Sequence, residues 1–195
     1  MKTPKLNIAL ITVLVLISFF PVTIYAVDTD PVSEQGFPEG KIKTAYLYNF
    51  LRFVEWPENQ TSSTHICIVG FKKSYHEAMK ALTSQTINQK NISIKEFHEG
   101  DELSDLNNCQ ILFVTSNASH RQRIATQSIN KRNILLVGEA TGFAEQGGMI
   151  NFINKNNTIN FEVNLTVINQ TDIRITSRIL RIADKVYRDN DGGDY

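Results

Sequence analysis

The chain lacks the contiguous fingerprints by which many enzymes announce themselves. There is no Gly-x-Ser-x-Gly elbow, which removes the simplest hydrolase reading, and no Gly-x-Gly-x-x-Gly turn, which removes the usual dinucleotide site. The four histidines, His65, His76, His98 and His120, are scattered, and no two stand four apart as in a helical zinc site. Cysteine is scarce, with only Cys67 and Cys109. Neither sign of charge is in excess, since 20 Lys+Arg stand against 20 Asp+Glu. That balance excludes the basic surplus of a nucleic-acid binder, and no basic amphipathic tract marks a membrane-surface helix. Asp101, Glu102 and Asp105 form an acidic run, whose ordinary home is a polar loop. A paired-carboxylate glycosidase would need two such groups to meet in space. The expectation is a non-enzymatic chain with no metal and no cofactor.

The stretch Gly142 to Glu162, GFAEQGGMINFINKNNTINFE, imitates a phosphate loop and then departs from it. Gly142 and Gly147 have the spacing of a P-loop, but Lys and Ser/Thr should follow the second glycine, and Gly148 and Met149 follow instead. The glycines therefore serve backbone geometry rather than nucleotide chemistry. This points toward a binding or regulatory domain.

A single long apolar run, Leu6 to Phe20, carries no charge and follows Lys2 and Lys5. It reads as a signal peptide over residues 1–26 with a cut after Ala26. The run is short for a membrane span, and an uncleaved anchor is the alternative. No Cys follows the run, which speaks against a lipid-modified N-terminus. Without this segment, 18 Lys+Arg face 20 Asp+Glu, a net charge near −2. The rest, about 169 residues (195 minus 26), suits one domain.

Residues 27–40 are polar, with two prolines and two glycines, and read as a flexible leader. Lys41 to Glu55 follows a 3.6-residue period with a second apolar stripe through Leu47, Leu51 and Val54, so this helix is buried or shared with a partner. Pro57 ends it. His65–Gly70, Ile111–Thr115 and Ile134–Val137 read as buried strands, and Asn91–Phe97 alternates. Helices are expected over Lys73–Leu82 and His120–Ile129, the latter capped by Ser116 or Asn117. This alternation argues for an α/β domain with a partly parallel sheet. Met149–Ile153 and Thr158–Val163 form a hairpin around Lys155-Asn156-Asn157. Asn164 caps a short helix to about Asn169. Ser177 caps a final helix whose Ile179, Leu180, Ile182, Ala183 and Val186 face the core. The tail, 189–195, is polar.

In an exported chain the even pair Cys67 and Cys109 invites a disulfide, closing a loop of about 43 residues worth roughly 4 kcal/mol in the chain-entropy treatment. Two buried thiols or a metal pair are the alternatives. Six Asn-x-Ser/Thr sequons begin at Asn59, Asn91, Asn117, Asn156, Asn164 and Asn169. In a eukaryotic secretory chain they would be glycan sites, but in so Asn-rich a sequence chance is the preferred reading. Leu165 and Ile168 stand three apart on the short helix, with Glu162 and Arg174 at its approaches. They make either a contact patch or a simple cover for the sheet.

AYLYNFLRFVEWPE (Ala45–Glu58), ICIVG, LLVGEATGFAEQGGMINFI and INFEVNLTVINQTDIRITSRILRIA together resemble the YfiR-like family of small periplasmic proteins over most of residues 41–188. The resemblance implies a single α/β sandwich, a mixed β-sheet with helices on both faces, that tends to form a homodimer. It implies a repressor that binds the periplasmic domain of an inner-membrane diguanylate cyclase, lowers cyclic di-GMP and so limits biofilm formation. An outer-membrane lipoprotein of the OmpA type would sequester the repressor. Cys67 and Cys109 match a family disulfide. A second pair found in some relatives is missing, since Gly142–Phe152 contains no Cys. Glu162, Leu165 and Ile168 match the segment implicated in repression, and Arg174 matches a position near a small-molecule pocket. The alternative is a periplasmic small-ligand sensor that modulates another receptor, such as a histidine kinase.

Overall fold

The strands foreseen from apolar runs lie side by side at the centre of the fold. The computed structural model describes residues 38–57, 63–98, 100–129 and 132–189. The expected signal peptide, the leader up to residue 37 and the tail from residue 190 lie outside the described residues. In chain order the elements are α1 (Glu39–Phe53), β1 (Val54–Glu55), β2 (Ser63–Val69), α2 (His76–Leu82), β3 (Thr86–Ile87), β4 (Lys90–Phe97), β5 (Cys109–Val114), α3 (Gln122–Ser128), β6 (Leu135–Gly138), β7 (Ile150–Lys155), β8 (Thr158–Asn164), α4 (Leu165–Ile168), β9 (Arg174–Ile175), α5 (Ser177–Leu180) and β10 (Lys185–Tyr187).

Eight strands form one mixed sheet in the order β10-β8-β7-β6-β5-β2-β4-β3. β4, β2, β5, β6 and β7 are parallel neighbours, which in chain order is the doubly wound arrangement 2-1-3-4-5. β2, β5 and β6 are almost wholly buried, as the continuous apolar runs require when both sheet faces are covered. α1 and α2 pack on one another. The β2–β4 and β5–β6 crossovers leave β2 and β5 in opposite directions across the sheet, so right-handed connections place α2 and α3 on opposite faces. The α/β sandwich expected from the sequence is the architecture observed.

The core under α1 is aromatic. Phe50 lies edge-on to Phe161 with ring centres 5.2 Å apart and stacks near Phe152 at 6.1 Å, while Phe113 meets Tyr75 edge-on at 5.6 Å. These offset and edge-to-face pairs are the favoured aromatic geometries. Tyr46, one turn before Phe50 on α1, reaches the same cluster and lies 5.2 Å from Phe161. Leu47, Leu51 and Val54 of the second stripe are buried as well, so both stripes are taken up by the core.

The hairpin turns at Asn156 and Asn157, both with positive φ (52° and 57°). A two-residue turn of this hand matches strand twist, and Asn tolerates it better than most residues. Cys67 and Cys109 are joined, tying β2 to β5, with Cα atoms 5.8 Å apart. The ladder shifts there, because His65 pairs with Cys109 while Ile66 pairs with Ile111, leaving Gln110 as an extra residue. Gln110 mends the gap: its Oε1 accepts the His65 N–H at 2.6 Å. A bulge needs such a patch because an unpaired buried amide is costly.

Several expectations need correction. α1 begins at Glu39, so Glu39 and Gly40 belong to the helix and not to the leader. A Cβ on Gly40 would lie 2.4 Å from the Ser74 carbonyl oxygen, so the residue is glycine because the chain after β2 passes close by. α1 also stops at Phe53, and Val54–Glu55 pairs with Arg174–Ile175 instead. The final helix is one turn only, Ser177–Leu180, and no side chain caps it. Val186 lies in β10, which extends the sheet by pairing parallel to β8, and Ile182 is 56% exposed. The helices expected over Lys73–Leu82 and His120–Ile129 each open with 3-10 residues, Lys73–Tyr75 and Ser116–Arg121, without a side-chain cap.

Candidate functional site

The residues singled out from the sequence meet only in part. Asn164 caps α4 as expected, its side-chain oxygen accepting the Val167 N–H at 3.0 Å. Its amide donates to the Ala144 carbonyl at 2.8 Å, so the cap also fixes the Gly-rich loop. Leu165 is half-buried at the start of α4, whereas Ile168 is 1% exposed and lies in the core. The shared face read from their spacing therefore splits. Leu165 borders solvent, and Ile168 holds the turn against the sheet.

Glu162 points to a small polar cluster at the sheet edge. It accepts from Asn151 Nδ2 at 3.1 Å and from the Tyr187 hydroxyl at 3.2 Å, and that hydroxyl also reaches Glu145 at 3.1 Å. Burial and then these carboxylate contacts push the Tyr187 hydroxyl well above its ordinary pKa, so it stays a donor. Arg174 is exposed, and its Nη1 donates to the carbonyls of Thr171 and Ile173 at 3.0 Å. A groove of about 560 Å³ lies nearby, lined by Arg52, Trp56, Ile87, Lys90 and Gln110 among others, but Arg174 is not in its wall.

The acidic run serves the fold. Asp101 accepts the His98 N–H at 2.7 Å, and Asp105 pairs with Lys95, which lowers its carboxyl pKa. Among the described residues no group of three His, Cys, Asp or Glu side chains is placed to hold a metal.

The Gly-rich loop wraps a single ring. Phe143 is 1% exposed, and a Cβ on Gly148 would lie 2.0 Å from its Cδ1, one on Gly138 2.4 Å from its Cδ2. The glycines give the ring room, as the backbone reading of this motif anticipates.

At the head of the same loop stands a cluster that no spacing in the sequence discloses. Glu139 follows β6, and its side chain is 2% exposed. One oxygen accepts from the Ser116 N–H and from Lys72 Nζ, both at 2.6 Å. The other accepts from Lys43 Nζ at 2.5 Å and from the Tyr75 hydroxyl at 2.6 Å. Lys43, whose side chain is 6% exposed, also pairs with Glu39. Burial alone would raise the Glu139 pKa. The Lys43 charge and the bonds from Lys43, Lys72 and Tyr75 outweigh it and hold the carboxyl down at about 2. The Tyr75 hydroxyl is driven far above its ordinary value by burial and by Glu139.

This cluster lies beyond the carboxyl ends of β2, β5 and β6, where strand order reverses between β2 and β5. Open parallel sheets bind their ligands in that crevice. Here a side chain of the chain itself fills it.

Residues 40–184, well over half of the chain, match the model of the YfiR/HmsC-like family. The chain belongs to that family. YfiR/HmsC-like proteins are periplasmic regulators of cyclic di-GMP signalling, regulatory rather than catalytic. No curated protein matches the chain. The crystal structure of a conserved domain protein from Vibrio cholerae is similar at TM-score 0.54 and 11% identity, covering 77% of this chain. The chain spans 60% of that protein, and at such low identity the likeness shows the fold alone. An ABC domain from Streptococcus pneumonia, solved in complex with L-Trp, matches at TM-score 0.46 and 11% identity over 64% of this chain and 55% of its own, too distant to bear on the fold. No helix among the described residues of this YfiR/HmsC-like chain is long and apolar enough to cross a membrane.

Proposed function

We propose that this YfiR/HmsC-like protein is a periplasmic repressor that binds the periplasmic domain of an inner-membrane diguanylate cyclase and holds the cyclase inactive, so lowering cyclic di-GMP and biofilm formation. The observation that carries this reading is Leu165, an aliphatic side chain left half-exposed on a turn pinned by the Asn164 cap, three residues after Glu162, whose carboxylate is held by Asn151 and Tyr187. Rigid apolar anchors beside oriented polar groups are what protein contacts use. Ile168 contributes from beneath by fixing the turn. The proposed assembly is a homodimer, with an OmpA-type outer-membrane lipoprotein as a competing partner.

The repressor works by preferring one state of its target. A coupling of about 1–3 kcal/mol, as is typical of linked sites, shifts such an equilibrium 5- to 150-fold. Leu165→Asp should weaken binding to the purified cyclase periplasmic domain at least tenfold, read by titration calorimetry, with an unchanged unfolding midpoint. Unaltered affinity would reject the patch. Ile168→Asp is no substitute, because a carboxylate at a position 1% exposed unfolds the turn.

A further inference from the structure

We propose that the crevice at the carboxyl ends of β2 and β5 is a carboxylate-binding site whose resident ligand is the chain's own Glu139, tethered through the Gly-rich loop. The donor set is complete for one carboxylate. Each oxygen of Glu139 receives two donors, Ser116 N–H and Lys72 on one, Lys43 and the Tyr75 hydroxyl on the other. A carboxylate has about four lone-pair positions, so none is left over.

The four groups come from separate parts of the chain: α1, the turn after β2, and the segment after β5. They converge on a point where folds of this topology place ligands. All four donate, and only the carboxylate accepts. Without Glu139 the crevice would hold two ammonium groups, a hydroxyl and an amide facing each other, opposed among the described residues only by Glu39 on Lys43. Such a site takes a small monocarboxylate, and its depth, behind a side chain 2% exposed, closes it to soluble metabolites while Glu139 is in place. The tether also ties loop 139–148 to the first turns of α1 through Lys43. The inference is independent of which macromolecule the protein regulates.

The test is chemical rescue of Glu139→Ala. Thermal unfolding of the full mature chain is followed during titration with sodium formate, acetate and propionate, against sodium chloride at equal ionic strength. The midpoint of the variant should rise saturably by several degrees with carboxylate and not with chloride, while the native protein follows the chloride curve in every salt. If Glu139→Ala is recovered unfolded, the same titration reads the refolded fraction, which should rise with carboxylate alone. Lys43→Met combined with Glu139→Ala removes the deepest ammonium and should abolish the response. A chloride effect equal to that of acetate, no response to any carboxylate, or rescue that persists without Lys43 would each overturn the proposal.

Discussion

Replacing Lys43 by Met tests how far the charged cluster holds α1 on the sheet. The side chains of Lys43 and Glu139 are 6% and 2% exposed, so neither charge can be rehydrated without moving backbone. Removing one partner of a buried pair typically costs 3–5 kcal/mol, because the other charge is stranded. Glu139 would keep Lys72, Tyr75 and the Ser116 N–H, which places the expected loss near 3 kcal/mol. Lys43→Met combined with Glu139→Leu strands less, since Lys72 is already 23% exposed and can turn outward. The pair should therefore be less destabilised than the sum of the single variants by more than about 1 kcal/mol.

The same cluster sets an acid limit. The Glu139 pKa is about 2 in the folded protein against 4.5 for the free side chain, so its contribution is present in full above pH 4.5. It is lost as pH falls from there to about 2. A depression of this size corresponds to roughly 3 kcal/mol. Urea unfolding from pH 7 down to pH 2 measures both effects. Native protein should lose stability across that window, and the double variant should lose markedly less. Additive single-variant effects, or parallel pH curves, would refute the reasoning.

Further outcomes are expected at three sites. Breaking the Cys67–Cys109 bond, by reduction or by changing both residues to Ala, frees residues 42 apart in sequence and should cost about 4 kcal/mol in urea unfolding. Gly148→Ala places a Cβ 2.0 Å from the Phe143 ring and should lower the unfolding midpoint by several degrees in a thermal melt. Asn164→Ala removes both the α4 cap and the bond to the Ala144 carbonyl and should cost about 1–2 kcal/mol, with faster amide exchange at Val167.

Local rules made much of this fold legible. The apolar runs of β2, β5 and β6 and the Asn156-Asn157 turn each act within a few residues, and each element lies where those rules put it. The C-terminal segment departs from its helical pattern for a physical reason. Ile179, Leu180, Ala183 and Val186 fit a helical stripe, but the free edge of β8 offers hydrogen bonds that a second helical turn would forgo, and Lys185–Tyr187 pairs there. Contacts at long separation were not legible at all. Glu139 meets Lys43 across 96 residues and Tyr75 across 64, and nothing in their spacing marks them. The predicted patch lay between these extremes: the period placed Leu165 and Ile168 together, while the depth of the core beneath α4 separated them.

The most direct test of the regulatory account is the activity of a membrane diguanylate cyclase reconstituted with this protein on its periplasmic side. The account predicts that cyclic di-GMP synthesis falls on addition of the native chain and that Leu165→Asp, folded to the same stability, restores it. Synthesis unaffected by the native chain, or repressed equally by Leu165→Asp, would contradict it.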